Sequence, residues 1–207
     1  MKDIFVVGLT GRTGAGMPTV AKKLRARGIS TINADEVSRR VTQEDAHALK
    51  ELVCGFGTTI LNDDGTLNRK RLAHIAFSDA EQNRKLTDIL HPLIMMETRR
   101  QLRRLALAGA KIAILDAALL FESNAYLLCD TTVAVLADDE TRMVRIMERD
   151  KLNRQEAMER INAQNPLNFY RTHANHIITN NGSESALDYS VTQLERELRR
   201  ASYETLR

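Results

Sequence analysis

A chain of 207 residues, 43% hydrophobic and 28% charged, can bury one sizeable core and reads neither as a disordered chain nor as a membrane protein. Its net charge of +3 suits an anionic small molecule, while 4% aromatics and no Trp speak against a base-stacking surface, so no nucleic-acid partner is expected. The apolar run after Lys2 and Asp3 is too short for a signal peptide and nothing reaches membrane-spanning length, so a cytoplasmic protein with no membrane attachment is expected.

"IFVVGLT" (4–10) is a short apolar run rich in β-branched residues that ends in glycines, as a buried parallel strand does. From Thr19 to Arg27 the pattern turns helical, with Val20, Ala21 and Leu24 on one face, and Gly28 stops it. "STIN" (30–33) is a second strand, followed by Asp35. Strand, glycine loop, helix and strand make a βαβ unit. The next 75 or so residues read as helical: "DAHALKELVCGF" and "NRKRLAHIAF", parted by the turn "NDDGT", then a long helix from Asp79 to about Ala108 that Pro92 kinks or splits. "KIAILDA" (111–117) and "TTVAVLA" (131–137) are buried strands. Charged helices over 139–150 and 154–164 precede a last strand, "HIITN", and a final helix with Leu187, Val191, Leu194 and Leu198 on one face. Alternating strands and helices predict a doubly wound α/β core. Cys54 and Cys129 fit no metal or CxxC spacing and read as free, buried thiols.

The segment "GRTGAGMPT" follows the first strand. A phosphate-binding loop has the pattern G-x-x-x-x-G-K-[ST]. Gly11, Gly14 and Gly16 keep the glycine framework, with Arg12, Thr13 and Ala15 between them. Backbone N–H groups of such a turn can form an anion nest, and the helix after it adds its positive end. Met17 and Pro18 stand where the pattern has a lysine and a hydroxyl. Pro18 also lacks an N–H, and it removes the usual metal ligand, so no metal ligand is expected from the loop. Thr19 has a hydroxyl, but one residue further along turns it away by about 100°. A plain tight connection into a proline-started helix fits the same residues.

Asp35, at the end of the second strand, suits a general base for a hydroxyl attacking a phosphoryl group; a helix N-cap for "EVSRRV" suits it too. Asp116 ends a strand, where open α/β sheets place ligands, though caps are common there as well. Arg145 and Arg149 share a helix face and either close over polyphosphate or pair with Glu148 and Asp150 on a solvated face. His91, in an apolar helix before Pro92, reads as a core or hinge residue by itself.

"VVGLTGRTGAG", "INADEVSR", "DGTLNRKRL", "ILHPLIMMET", "LDAALLFES", "RIMERD", "INAQNP" and "IITNNG" together resemble the dephospho-CoA kinase family, in its order and spacing and over nearly the whole chain. The resemblance implies an α/β P-loop kinase with a parallel sheet flanked by helices. It implies a nucleotide core over 1–35 and 110–207, a lid at about 139–165 and a helical substrate subdomain over 36–109. It also implies transfer of the γ-phosphoryl of ATP, with Mg2+, to the ribose 3'-hydroxyl of dephospho-CoA. Asp35 falls on the catalytic aspartate. His91 and the stretch from Leu119 to Glu122, with Asp116 before it, fall on substrate-side motifs. Arg149 falls on a lid arginine that meets ATP phosphates, and Asn181 and Gly182 fall near the adenine. Besides Met17 and Pro18, the chain departs from the family pattern at Ala118, usually Pro, and Asn175, usually Asp. Two readings stay open: a kinase with impaired turnover, in which Arg12, Lys22, Lys23 or Arg149 supplies charge, or an inactive relative that binds dephospho-CoA, CoA or a nucleotide as regulator or scaffold. The sequence leaves the oligomeric state open.

Overall fold

The computed structural model describes residues 3–207. The chain divides into two compact units, one made of the segment up to Asn33 together with Leu102–Arg207, the other of Ala34–Gln101.

The first unit is an α/β layer structure around five parallel strands: β1 (Phe5–Gly11), β2 (Ser30–Asn33), β3 (Ile112–Asp116), β4 (Thr131–Leu136) and β5 (His176–Thr179), in the order β2-β3-β1-β4-β5. β1 is the middle strand, and all seven of its residues are buried, which is why its sequence runs apolar instead of alternating. The edge strands β2 and β5 are shorter and partly exposed. Helix α1 (Met17–Ala26) buries Val20, Ala21 and Leu24, and α9 (Glu184–Thr205) buries Leu187, Val191, Leu194 and Leu198 in the same core as Val7, Leu9, Ile114, Val133 and Val135. Each buried Val, Leu or Ile side chain among these contributes about 1.5–3 kcal/mol. Helices α6 (Asp139–Asp150) and α7 (Arg154–Asn162) carry a satellite core of Met143, Ile146, Ala157 and Ile161, and α8 (Leu167–His173) buries Tyr170.

The second unit holds α2 (Ala34–Glu44), α3 (Ala46–Phe56), α4 (Arg69–Ala76) and most of α5 (Ala80–Leu107), which runs on across the boundary. Asp45 caps α3 through the His47 and Ala48 amides, and Asn68 caps α4 through that of Arg71. Val37, Val41, Leu52, Ile60, Leu72 and Leu90 are buried.

Four expectations change. Pro92 lies inside a single unbroken α5 and does not split it: the helix continues for four turns beyond it. Asp35 does not cap α2, because the helix already starts at Ala34 and Asp35 sits in its first turn. Asp116 is likewise no cap or loop residue but the buried last residue of β3. Neither cysteine is in a disulfide, yet Cys54 is exposed, two positions (about 200°) around α3 from buried Leu52, and Cys129 is only partly buried. Among the described residues no helix is long and apolar enough to cross a membrane.

Candidate functional site

The chain leaves β1 toward β2 on one side of the sheet and leaves β4 toward β5 on the other. The carboxyl ends of these two neighbours therefore open a crevice, the place where open α/β sheets take ligands. Residues 12–16 turn there between β1 and the start of α1. Gly14 and Gly16 have φ of 77° and 97°. A Cβ on Gly14 would lie 2.7 Å from the Arg142 carbonyl, and one on Gly16 would lie 2.4 Å from Asn180 Nδ2, so both glycines are required by conformation and by space. Within the turn, the Ala15 N–H donates to Arg12 O and the Thr19 N–H to Gly16 O. Pro18 has no N–H, and the Thr13 N–H goes to a side chain. That leaves the amides of Arg12, Gly14, Gly16 and Met17 as the turn's donors not used by loop bonds among the described residues.

The turn is fastened from behind. Arg142 is wholly buried; its Nε donates to Thr13 O at 2.8 Å, Nη1 to Asp139 Oδ1 at 2.6 Å and Nη2 to Gln164 Oε1 at 2.8 Å. The same Gln164 oxygen accepts the Thr13 N–H at 2.8 Å. Burial and the neighbouring Arg12 push the Arg142 pKa down, against the pull of Asp139. Asn180, also buried, donates through Nδ2 to Ala15 O at 2.7 Å and through its backbone to Leu136 O. Arg145 Nη1 donates to Asn180 O at 3.0 Å. Asp138 caps α6 through the Thr141 N–H, and this bond holds its carboxyl below the usual range. A cavity of about 610 Å3 lies in front of the turn, bordered by Arg12, Met17, Ala118, Arg145 and Arg149 among others. Its size suits a nucleotide polyphosphate.

Several expected residues converge on this cavity and others do not. Gly11, Arg12, Thr13, Gly14, Gly16, Thr19, Arg145 and Arg149 border it, while Ala15 is buried beneath it. Arg12 does not swing over it as a free cation: it is 7% exposed and its Nη1 is bonded to Asp139 at 2.8 Å. Lys23 is engaged elsewhere: Glu184 and Asp188 hold its Nζ at 3.1 and 3.3 Å and raise its pKa. Lys22 is exposed on α1. Arg149 pairs with Asp150 at 2.8 Å, the solvated-face pairing, and still borders the cavity. Met17 is partly buried against the core. Asn181 accepts the Asp138 N–H at 2.9 Å, and Gly182 is exposed just before the Ser183 cap of α9. Leu119 and Glu122 are exposed beyond β3, and Glu122 accepts from Asn165 at 2.6 Å. Asn175 bonds both the amide and the hydroxyl of Thr132 at 2.9 Å. Asp35 and His91 belong to the helical unit, the first exposed and the second half-buried on α5.

Sequence reading missed Arg142, Gln164 and Asn180. The one local signal is that Arg142 falls four residues before Ile146, on the apolar stripe of α6. The residues present do not fit a loop-held metal. Position 18 is proline, and the described residues contain no group of three or more His, Cys, Asp or Glu placed to hold an ion.

Residues 5–186 match the dephospho-CoA kinase family model. The dephospho-CoA kinase of Halalkalibacterium halodurans is 37% identical over 196 residues, 95% of this chain and 96% of its own. The crystal structure of TT1252 from Thermus thermophilus superposes with a TM-score of 0.79 at 31% identity, covering 95% of this chain and 99% of its own. The dephospho-CoA kinase from Campylobacter jejuni shares the fold at 22% identity, with a TM-score of 0.63 and coverage of 95% and 98%.

Proposed function

The chain belongs to the dephospho-CoA kinase family, and from that premise we propose that it moves the γ-phosphoryl group of ATP to the ribose 3'-hydroxyl of dephospho-CoA, at a reduced rate. The observation that carries this reading is the unbroken family match over residues 5–186, across both units. The nest shape of the turn, with left-handed Gly14 and Gly16 and an adjacent helix start, supports the donor side.

In this reading the amides of Gly14, Gly16 and Met17 bind phosphate oxygens, and Arg145 and Arg149 face them across the cavity. Asn181 and Gly182 adjoin the adenine; His91, Asp116, Leu119 and Glu122 serve the acceptor substrate. Asp35 accepts the hydroxyl proton as the oxygen bonds phosphorus and the bond to the ADP oxygen breaks, giving ADP and CoA. Magnesium is proposed only as the companion of the nucleotide's own phosphates, and no step is assigned to it. The division of labour follows the two units, with the helical one serving the acceptor and α6–α7 a lid. An ATP-using kinase of this kind belongs in the cytoplasm.

One observation favours a second reading, a non-catalytic binder of dephospho-CoA or CoA. Met17 packs against the core and Pro18 offers neither a hydroxyl nor an N–H, so the turn lacks three contributions that phosphoryl transfer uses. ADP release with ATP and dephospho-CoA separates the two. Turnover that Asp35→Asn abolishes supports the kinase; calorimetric binding of dephospho-CoA without turnover supports the binder.

A further inference from the structure

Two buried guanidiniums share one carboxylate behind the glycine turn. Arg12 is 7% exposed and Arg142 is 0% exposed. Both donate through Nη1 to the same oxygen of Asp139, at 2.8 and 2.6 Å. Their other named partners, the Thr13 carbonyl and the Gln164 side chain, are neutral. Two positive charges against one negative leave a fixed excess of one, and a guanidinium does not give up its proton in proteins. Arg12 Nε is buried with no hydrogen-bond partner, and Arg12 borders the cavity in front of the turn. A buried donor left unmatched is costly.

We propose that Arg12 and Arg142, joined through Asp139, form a buried cationic seat for a polyphosphate at the glycine turn, with Arg12 the residue that meets the anion. The proposal deepens the kinase reading and rests on it only for the identity of the natural ligand. The seat supplies the charge that Met17 does not. It differs from a loop lysine in being built into the wall: its stem is packed and its charge is oriented by Asp139, so little side-chain entropy is lost on binding. Without an anion the two guanidiniums repel each other, consistent with the lowered pKa of Arg142, whose causes are burial and then Arg12. Anion binding therefore relieves strain already present in the free protein.

A cluster that merely fastened the loop would behave differently. Loss of any member would then weaken the fold and the binding together. The cationic seat separates the two effects. Arg12→Met removes one of two repelling charges and keeps the volume, so the free protein melts at the same or a higher temperature while anion binding falls. Asp139→Asn strips the shared counter-charge, so the free protein melts lower while anion binding tightens.

The experiment uses the full chain and inorganic tripolyphosphate without metal, read by calorimetry and thermal shift at low salt. Parent protein is expected to bind, Arg12→Met to bind about tenfold more weakly, the scale of one lost charge-assisted hydrogen bond. Arg12→Gln, which keeps a donor and drops the charge, is expected to follow Arg12→Met and covers a folding failure of the first variant. A parent that binds no tripolyphosphate, Arg12 variants that bind like the parent, or an Asp139→Asn that binds more weakly would each overturn the seat. Phosphorylation of dephospho-CoA measured beside it keeps the two ideas apart. Turnover with polyphosphate binding indifferent to Arg12 sinks the seat and leaves the kinase; the expected binding pattern without turnover leaves the seat and sinks the kinase.

Discussion

Asn180 donates its side-chain amide to the Ala15 carbonyl at 2.7 Å, a buried bond between positions 165 apart in the chain. It ties the residue after β5 to the underside of the glycine turn. Asn180→Ala leaves that carbonyl buried without its donor, and the expected cost is about 1–3 kcal/mol of unfolding free energy. Urea denaturation with an unchanged slope is the check; a midpoint equal to that of the parent would refute the tie.

Gly16→Ala puts a side chain at φ 97° and 2.4 Å from Asn180 Nδ2. The expected loss is about 1–3 kcal/mol from backbone strain, with the collision on top of it. Because Asn180→Ala clears the collision and not the strain, the double variant is expected to lose less than the sum of the two singles. Strict additivity in a thermodynamic cycle would show that the two residues do not press on each other.

Met17→Lys with Pro18→Ser restores a charge, a hydroxyl and a backbone donor to the turn. One charge-stabilising donor is commonly worth about 10²–10³ in rate, and the double variant is expected to gain at least that in kcat/KM. Met17 is partly buried against the core, so a small drop in melting temperature is expected alongside. Met17→Lys alone is expected to gain less. Adding Asp35→Asn is expected to cancel the gain; an undiminished gain would remove Asp35 from the base role.

Acid sensitivity follows from carboxylates held below their usual value of 3.8. Asp138 is lowered by the Thr141 amide, Asp150 by Arg149 and then Arg160, and Asp188 by Arg27 and then Lys23. A depressed folded value means that their contribution is present above about pH 3.8 and is lost as pH falls through the lower folded values. Lys23 is raised from 10.5, so its share is present below that pH and is lost as pH rises past it. Stability from these groups is therefore expected to be level between about pH 5 and 9 and to fall on both sides. Asp138 is exposed while Asp150 and Asp188 are half-buried, so added salt should shrink the effect, most of all for Asp138. Asp188→Asn should flatten the acid limb; urea midpoints on either side of pH 3.8 that keep the parental spacing would contradict this.

The sheet was legible because buried parallel strands leave a plain mark. "IFVVGLT", "KIAILDA" and "TTVAVLA" lie within a residue or two of β1, β3 and β4. The turn was legible through its glycines, whose left-handed angles the backbone demands. What holds the turn was not. Gln164 meets Thr13 across 151 positions, and no local period encodes such a pair. Arg142 sits among the charges of "DDETRMVRIMERD", where one more arginine looks like solvent-facing surface. Arg12 reads from the sequence as one of four cations able to supply charge, because sequence spacing carries no record of the Asp139 oxygen that pins it.

The middle strand of the sheet also lies early in the sequence. Phe5 of β1 pairs with Ile112, and Val7 pairs with Thr131, so neither edge of this apolar strand finds its partner until more than a hundred further residues exist. At a synthesis rate of roughly 5–20 residues per second, the strand waits on the order of 5–25 seconds for its neighbours. Over that interval the Ala34–Gln101 segment, whose helices draw on partners close in sequence, is complete before the strand has anything to pair with. On the ribosome the expected order of assembly is thus the reverse of the order of reading: the interposed helices can settle first, while the strand that carries the glycine turn has only the adjoining α1 to cover it until the chain comes back.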